Sequence, residues 1–106
     1  MVAKETMTRN EVENDGRTIF LYYSPELGLY VAYGFSAFFA SHIVEVIESF
    51  SEALLMPVAL LRKGDIEPLL LSAVSHEKDE QQNYRLELRI PIAMDDYYRW
   101  ANSLKE

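Results

Sequence analysis

The sequence predicts an α+β fold, a two-layer sandwich with helices packed on one face of a mainly antiparallel sheet. Short β-branched and aromatic segments alternate with glycine and proline turns, which is typical of antiparallel hairpins. Two other segments carry apolar residues at helical spacing. The resulting order is strand, strand, helix, three strands, helix (ββαβββα), and such runs of strands indicate an α+β fold.

Size and composition limit the chain to one small domain. It has 106 residues, of which 49% are hydrophobic and 25% charged, as is usual for a globular protein. Residues 1–16 are polar and lack periodicity, so we interpret them as a flexible N-terminal arm. Residues 17–106 are then expected to form a single α+β domain.

The first two strands are predicted to form a hairpin. Residues 17–23 and 29–33 have the β-branched and aromatic composition of strands. Residues 24–28 (SPELG) have turn chemistry, because proline presets φ and glycine accepts a positive φ. The register we expect places Tyr22 opposite Tyr30, as an exposed cross-strand pair.

A long amphipathic helix is predicted after this hairpin. Apolar residues recur at spacings of three and four from Phe39 to Leu54, and Ser36 is placed to cap the helix N-terminus. Pro57 disfavours helical geometry in the residue before it, so the helix is expected to end near Met56.

A second hairpin is predicted to follow. Residues 58–63 and 66–74 flank Gly64-Asp65, and Pro68 is expected at the start or edge of its strand because it lacks a ladder donor. A weaker alternative continues a kinked helix through Pro57 to Leu61.

The C-terminal quarter is predicted to contain a loop, a strand and a helix. Residues 76–83 are polar, whereas residues 84–92 alternate strictly between apolar and polar side chains, as in a strand buried on one face. Asp95 can cap the last helix. The apolar stripe of that helix consists of Tyr97, Trp100, Ala101 and Leu104.

The charge and the absence of cysteine disfavour several functions. The net charge is −7 and residues 18–61 contain no lysine or arginine, so we expect no binding to nucleic acid or to a membrane surface. The lack of cysteine excludes disulfides and thiolate chemistry. We predict a cytoplasmic protein, because there is no signal-peptide pattern and the longest apolar run, residues 53–61, is too short to span a bilayer.

No motif specifies catalysis, and we predict no catalytic residue, no metal site and no cofactor. The serines lie outside a Gly-x-Ser-x-Gly elbow, and the isolated glycines form no phosphate-binding loop. His42 and Glu45 share a predicted helix face, which is more typical of a solvated surface than of a metal site. Weak ligand-binding candidates are Arg85 and Arg89 on one strand face and His42, beside a cleft between sheet and helix.

Two segments predicted as strands are apolar on both faces, which indicates self-association. These are residues 58–61 and residues 69–71, and two helices on one side of a sheet cannot cover both of its faces. We therefore predict a twofold homodimer. The competing interpretation is that the N-terminal arm or the first hairpin covers the second face. The interface residues we expect are Leu60, Leu69, Leu71, Tyr22 and Tyr30.

These observations favour a non-enzymatic interaction or regulatory module that self-associates. One alternative is a small-ligand-binding domain or minor enzyme that uses the cleft between sheet and helix. Another is an acidic mimic or inhibitor that binds a basic protein partner. The contact face of such a mimic would consist of Glu26, Glu45, Glu48 and Glu52.

Overall fold

A computed structural model describes residues 4–12, 14 and 16–105 of the chain. The strands are β1 (Thr18–Ser24), β2 (Leu29–Tyr33), β3 (Ile47–Ser51), β4 (Met56–Arg62), β5 (Ala73–Lys78) and β6 (Tyr84–Leu88). The helices are α1 (Lys4–Val12), α2 (Gly34–Ser41), α3 (Ile66–Leu71) and α4 (Tyr97–Ser103), and a 3-10 turn (Lys63–Asp65) precedes α3. The strands form one antiparallel sheet in the order β3-β4-β2-β1-β6-β5. The predicted α+β class is confirmed, although the order of elements differs from the predicted one.

The first hairpin is confirmed, with its register shifted by one residue. Its turn closes with Gly28 at a φ of 65°, and the Gly28 N–H donates to the Ser24 carbonyl over 2.8 Å. Tyr30 pairs with Tyr23 and not with Tyr22. Because a shift of one residue moves a side chain to the other face of a sheet, Tyr30 joins the core.

The predicted helix over residues 36–56 is wrong. The helix α2 ends at Ser41, and β3 begins at Ile47. The intervening sequence contains β-branched residues at 43, 44, 46 and 47, which lose side-chain freedom in a helix and fit a strand well. Periodicity alone therefore favoured the wrong element.

The predicted second hairpin is also wrong. Its first strand exists as β4, but its second strand is replaced by α3. Pro68 is the third residue of α3, where a backbone N–H has no partner within the helix, so proline does not disrupt it. Ile66 and Leu69 point from this helix into the core.

The terminal segments differ from the predictions in detail. The helix α1 lies within the segment that we predicted to be a flexible arm. Part of the loop predicted over residues 76–83 belongs to β5, and the predicted strand over residues 84–92 ends at Leu88. The last helix is confirmed as α4. Its N-cap residue is Asp96 and not Asp95, and there is no side-chain capping hydrogen bond.

Three helices cover one face of the sheet, which we call the first face. The helix α2 lies against β1, β2 and β4, α3 lies against β5, and α4 packs against α2. The strands bury on this side the side chains of Ile19, Leu21, Tyr30, Ala32, Ala59, Leu61, Leu86 and Leu88. The hydrophobic core therefore lies between the first face and these helices.

Candidate functional site

The opposite side of the sheet, the second face, carries apolar side chains in a row across four neighbouring strands. The register places Tyr22 opposite Val31, Val31 opposite Leu60, and Leu60 opposite Ile47. Side chains of paired residues in antiparallel strands project to the same side. These four residues, which we call the open-face row, therefore form one band from β1 to β3.

A parallel row beside it is also largely apolar. Tyr33 pairs with Val58, and Val58 pairs with Ser49. Leu60 and Val58 are partly exposed, and Ile47 at the sheet edge is 55% exposed. The water-facing side of an antiparallel sheet is usually polar, so the apolar composition makes this surface a candidate contact site.

A groove continues the open-face row toward the tip of the first hairpin. Its volume is about 710 Å³, and it is lined by Tyr22, Val31, Tyr33, residues 24–27 and two glutamines, Gln81 and Gln82. Burial raises the pKa of Tyr22 to about 12 and also raises the pKa of Tyr33. Both phenols are therefore neutral at physiological pH, so neither contributes a charge to the groove.

The helix α1 is tied to the rest of the fold by one buried carboxyl group. Glu11 is only 2% exposed, and its two oxygens accept hydrogen bonds from the backbone N–H (2.9 Å) and the hydroxyl (2.6 Å) of Ser36. The same hydroxyl accepts the N–H of Phe20 over 2.9 Å. Asn10, one residue earlier in α1, donates to the Tyr22 hydroxyl over 3.1 Å. The helix therefore contacts both the start of α2 and one end of the open-face row.

The environment of Glu11 determines its ionisation. Burial raises its pKa to about 7, and hydrogen bonds from Ser36 and Asn14 offset part of that effect. Gly34 has a φ of 55°, and a Cβ at this position would lie 3.2 Å from the Glu11 Cβ. Glycine therefore allows both the backbone conformation and the close approach of Glu11.

The five predicted interface residues lie in three different parts of the structure. Tyr22 and Leu60 lie on the open-face row. Tyr30 and Leu69 are 4% and 0% exposed in the core, so they cannot reach a partner while the core is intact. Leu71 is 74% exposed, but it lies on α3 and not on a strand.

The predicted ligand-binding residues do not line one cleft. Arg85 lies on β6 opposite Phe20, which places it on the second face. Arg89 follows β6, and its carbonyl accepts a hydrogen bond from the Arg17 guanidinium over 3.1 Å. His42 ends α2 on the other side of the sheet, with its Nδ1 2.8 Å from the Phe38 carbonyl.

The four glutamates predicted to form an acidic contact face do not share one surface. Glu26 lies in the β1–β2 turn, and Glu52 lies in the β3–β4 turn at the opposite end of the sheet. Glu45 precedes β3. Glu48 points to the first-face side, where it accepts a hydrogen bond from the Trp100 indole over 2.7 Å. The contact face depended on the long helix, which the structure replaces with a strand and a turn.

Two further features of the described residues bear on function. Among residues 4–12, 14 and 16–105, no three His, Asp or Glu side chains are placed to hold a metal ion. Within the same part of the chain, no helix has both the length and the apolar character needed to cross a membrane. Comparison with protein-family models, curated proteins and solved structures gives no match for this chain.

Sequence reasoning missed two members of the open-face row and the role of Glu11. Ile47 falls within the predicted helix, and the predicted pairing of Tyr22 with Tyr30 puts Val31 on the opposite face from Tyr22, whereas the structure pairs these two residues. The run of β-branched residues at 43–47 is the signal that could have located Ile47 in a strand. Glu11 and Ser36 are 25 positions apart, and no local pattern connects them.

Proposed function

We propose that this protein is a non-enzymatic interaction module that self-associates through the second face of its sheet. The observation that carries the proposal is the open-face row, which spans four adjacent strands and remains partly exposed at Leu60 and Ile47. Removing such a surface from water is favourable in proportion to its apolar area. Residues 69–71 add nothing to this surface, because they belong to α3 and not to a strand.

The size of the surface sets the expected strength of association. Four strands that are spaced about 4.8 Å apart and are about 17 to 23 Å long offer a flat area of roughly 400 Å² per copy. A standard stable interface buries about 800 Å² per partner. The second face alone is smaller than that, so we expect a reversible dimer with a dissociation constant in the micromolar range.

Charge supports a second copy over a basic partner as the occupant. The open-face row contains no charged residue, and the four glutamates of the predicted acidic face are dispersed. A basic partner would be recognised by clustered acidic side chains.

The proposed location of the protein is the cytoplasm, because the chain has no cysteine and small secreted domains often depend on disulfides.

Sedimentation equilibrium over about 1 to 100 µM tests the proposal, since this range brackets a micromolar dissociation constant. We expect the wild type to change from the 12.3 kDa monomer toward twice that mass. Ile47→Glu should remain monomeric, because it places a charge at the exposed end of the open-face row.

Leu71→Glu is the matched control. It introduces the same charge at an exposed aliphatic side chain, as Ile47→Glu does. Leu71 lies on α3, however, and away from the second face. We expect Leu71→Glu to dimerise like the wild type. A wild type that remains monomeric throughout, or a dimer that Leu71→Glu disrupts and Ile47→Glu does not, would overturn the proposal.

A further inference from the structure

A cleft between the first face and α3 is lined by two lysines, in a chain of net charge −7. It has a volume of about 370 Å³. Lys63 and Lys78 lie at its walls, together with the carboxylate of Glu67. This cleft and the open-face row lie on opposite sides of the sheet, and Gln82 lines both the cleft and the groove that continues the row.

Both lysines contact tyrosine rings. The Nζ of Lys63 is 4.7 Å from the centroid of the Tyr23 ring, and the Nζ of Lys78 is 5.5 Å from that of Tyr84. In the part of the chain that the structure describes, neither lysine has a carboxylate oxygen within 4 Å. An ammonium group has three donors, and a ring contact leaves most of them free to bind an anion.

Apart from Gln82, the rest of the cleft is lined by aliphatic and aromatic side chains. Ile66 and Leu70 of α3 form one wall, and both pack against the core. The rings of Tyr30 and Tyr84, with centroids 5.7 Å apart, form the other wall. Such walls favour a flat, apolar portion of a ligand, because aromatic rings stack and aliphatic side chains exclude water.

The charges of the cleft select the anion. Two ammonium groups and one carboxylate give a local charge of about +1, which matches a singly charged group better than a phosphate dianion. We propose that this cleft binds a small aromatic monocarboxylate, with the carboxylate between Lys63 and Lys78 and the ring against Tyr84 and Leu70. This site corresponds to the small-ligand-binding alternative from the sequence, but its residues are not the predicted Arg85, Arg89 and His42.

Titration of isotope-labelled protein with 2-naphthoate, followed by NMR, tests this site. We expect saturable shifts of the amides of Lys63, Leu70 and Lys78. Lys63→Gln and Lys78→Gln should each weaken binding by about fivefold or more, because each removes a charge-assisted contact.

Three controls make the result decisive. Lys105→Gln should bind like the wild type, because its ammonium lies over Phe50, outside the cleft. The neutral 2-naphthalenemethanol and inorganic phosphate should both bind more weakly than 2-naphthoate. Equal binding of the neutral alcohol, unchanged affinity in the two cleft variants, or the absence of shifts at the cleft amides would each overturn the proposal.

Discussion

The two faces of the sheet are built by the same strands but have different surroundings. In β4, Ala59 and Leu61 point to the first face and are buried under the helices, whereas Val58 and Leu60 point to the second face and remain partly exposed. Both pairs are apolar. The strand therefore supplies two apolar faces, while α2, α3 and α4 provide a helical layer for one of them.

This difference separates folding from association. Side chains on the first face stabilise the monomer, because folding alone removes them from water. On the second face, Leu60 and Ile47 remain partly exposed in the monomer and would lose this exposure in the proposed dimer. Changes on the two faces should consequently affect different measurements.

The largest expected effect compares one leucine from each face. Leu86→Ala, at a fully buried position on the first face, should lower the free energy of unfolding by about 3 kcal/mol through lost packing and a residual cavity. Leu60→Ala on the second face should cost only about 1 kcal/mol, since part of its surface is already in water.

Urea unfolding at a concentration low enough to keep the chain monomeric measures both values. At higher concentration the cost of Leu60→Ala should increase, because association stabilises the folded wild type more than this variant. Equal costs for the two substitutions at low concentration would contradict the distinction between the faces.

The second prediction concerns Glu11, where α1 contacts the start of α2. Its pKa is raised from 4.5 to about 7, so the fold favours its protonated form. The stability that this preference contributes is fully present below pH 4.5 and is lost as the pH rises toward 7. The shift corresponds to about 3 kcal/mol over this interval.

Thermal or urea unfolding between pH 4.5 and 7 should therefore show falling stability in the wild type. Glu11→Gln should remove most of this slope, because the amide does not titrate. Glu26→Gln in the exposed β1–β2 turn is the control and should leave the slope unchanged. Retention of the slope in Glu11→Gln would show that another group causes it.

The smallest expected effect is that of salt on self-association. Two copies with a charge of −7 repel each other, and salt screens this repulsion. The dimer dissociation constant should therefore decrease by about threefold between low and physiological ionic strength. Weaker association at higher salt, measured by sedimentation, would instead indicate that opposite charges hold the copies together.

The sequence predicted best where local chemistry determines the structure. The residues between β1 and β2 specify a turn, and the alternation from Tyr84 to Leu88 specifies a strand with one buried face. The last helix follows from an apolar stripe that includes Tyr97 and Ala101, both of which are buried. These elements required little information from distant residues.

The predictions were wrong where tertiary contacts or weaker residue propensities determine the secondary structure. Helical spacing from Phe39 onward was misleading because the β-branched residues after Ser41 favour a strand. Proline at position 68 suggested a strand edge, yet it is tolerated in the first turn of α3. The one-residue register error moved Tyr30 from the surface to the core, which shows how strongly face assignments depend on register.

The candidate site was predicted only in part. Tyr22 and Leu60 belong to the open-face row, whereas Val31 and Ile47 became neighbours of Leu60 only through the pairing of β2, β4 and β3. Such pairing joins residues that are 13 to 29 positions apart in the sequence (60 − 47 and 60 − 31). Composition can indicate an excess of apolar strand surface, but it cannot locate that surface on the sheet.

The central claim is that the second face is the self-association surface, and methyl NMR spectra recorded during dilution test it most directly. We predict that the methyl signals of Val31, Leu60 and Ile47 shift with concentration. Those of Leu71 and Ile90, exposed elsewhere, should remain constant. Constant signals on the second face, or shifts confined to Leu71 and Ile90, would contradict the account.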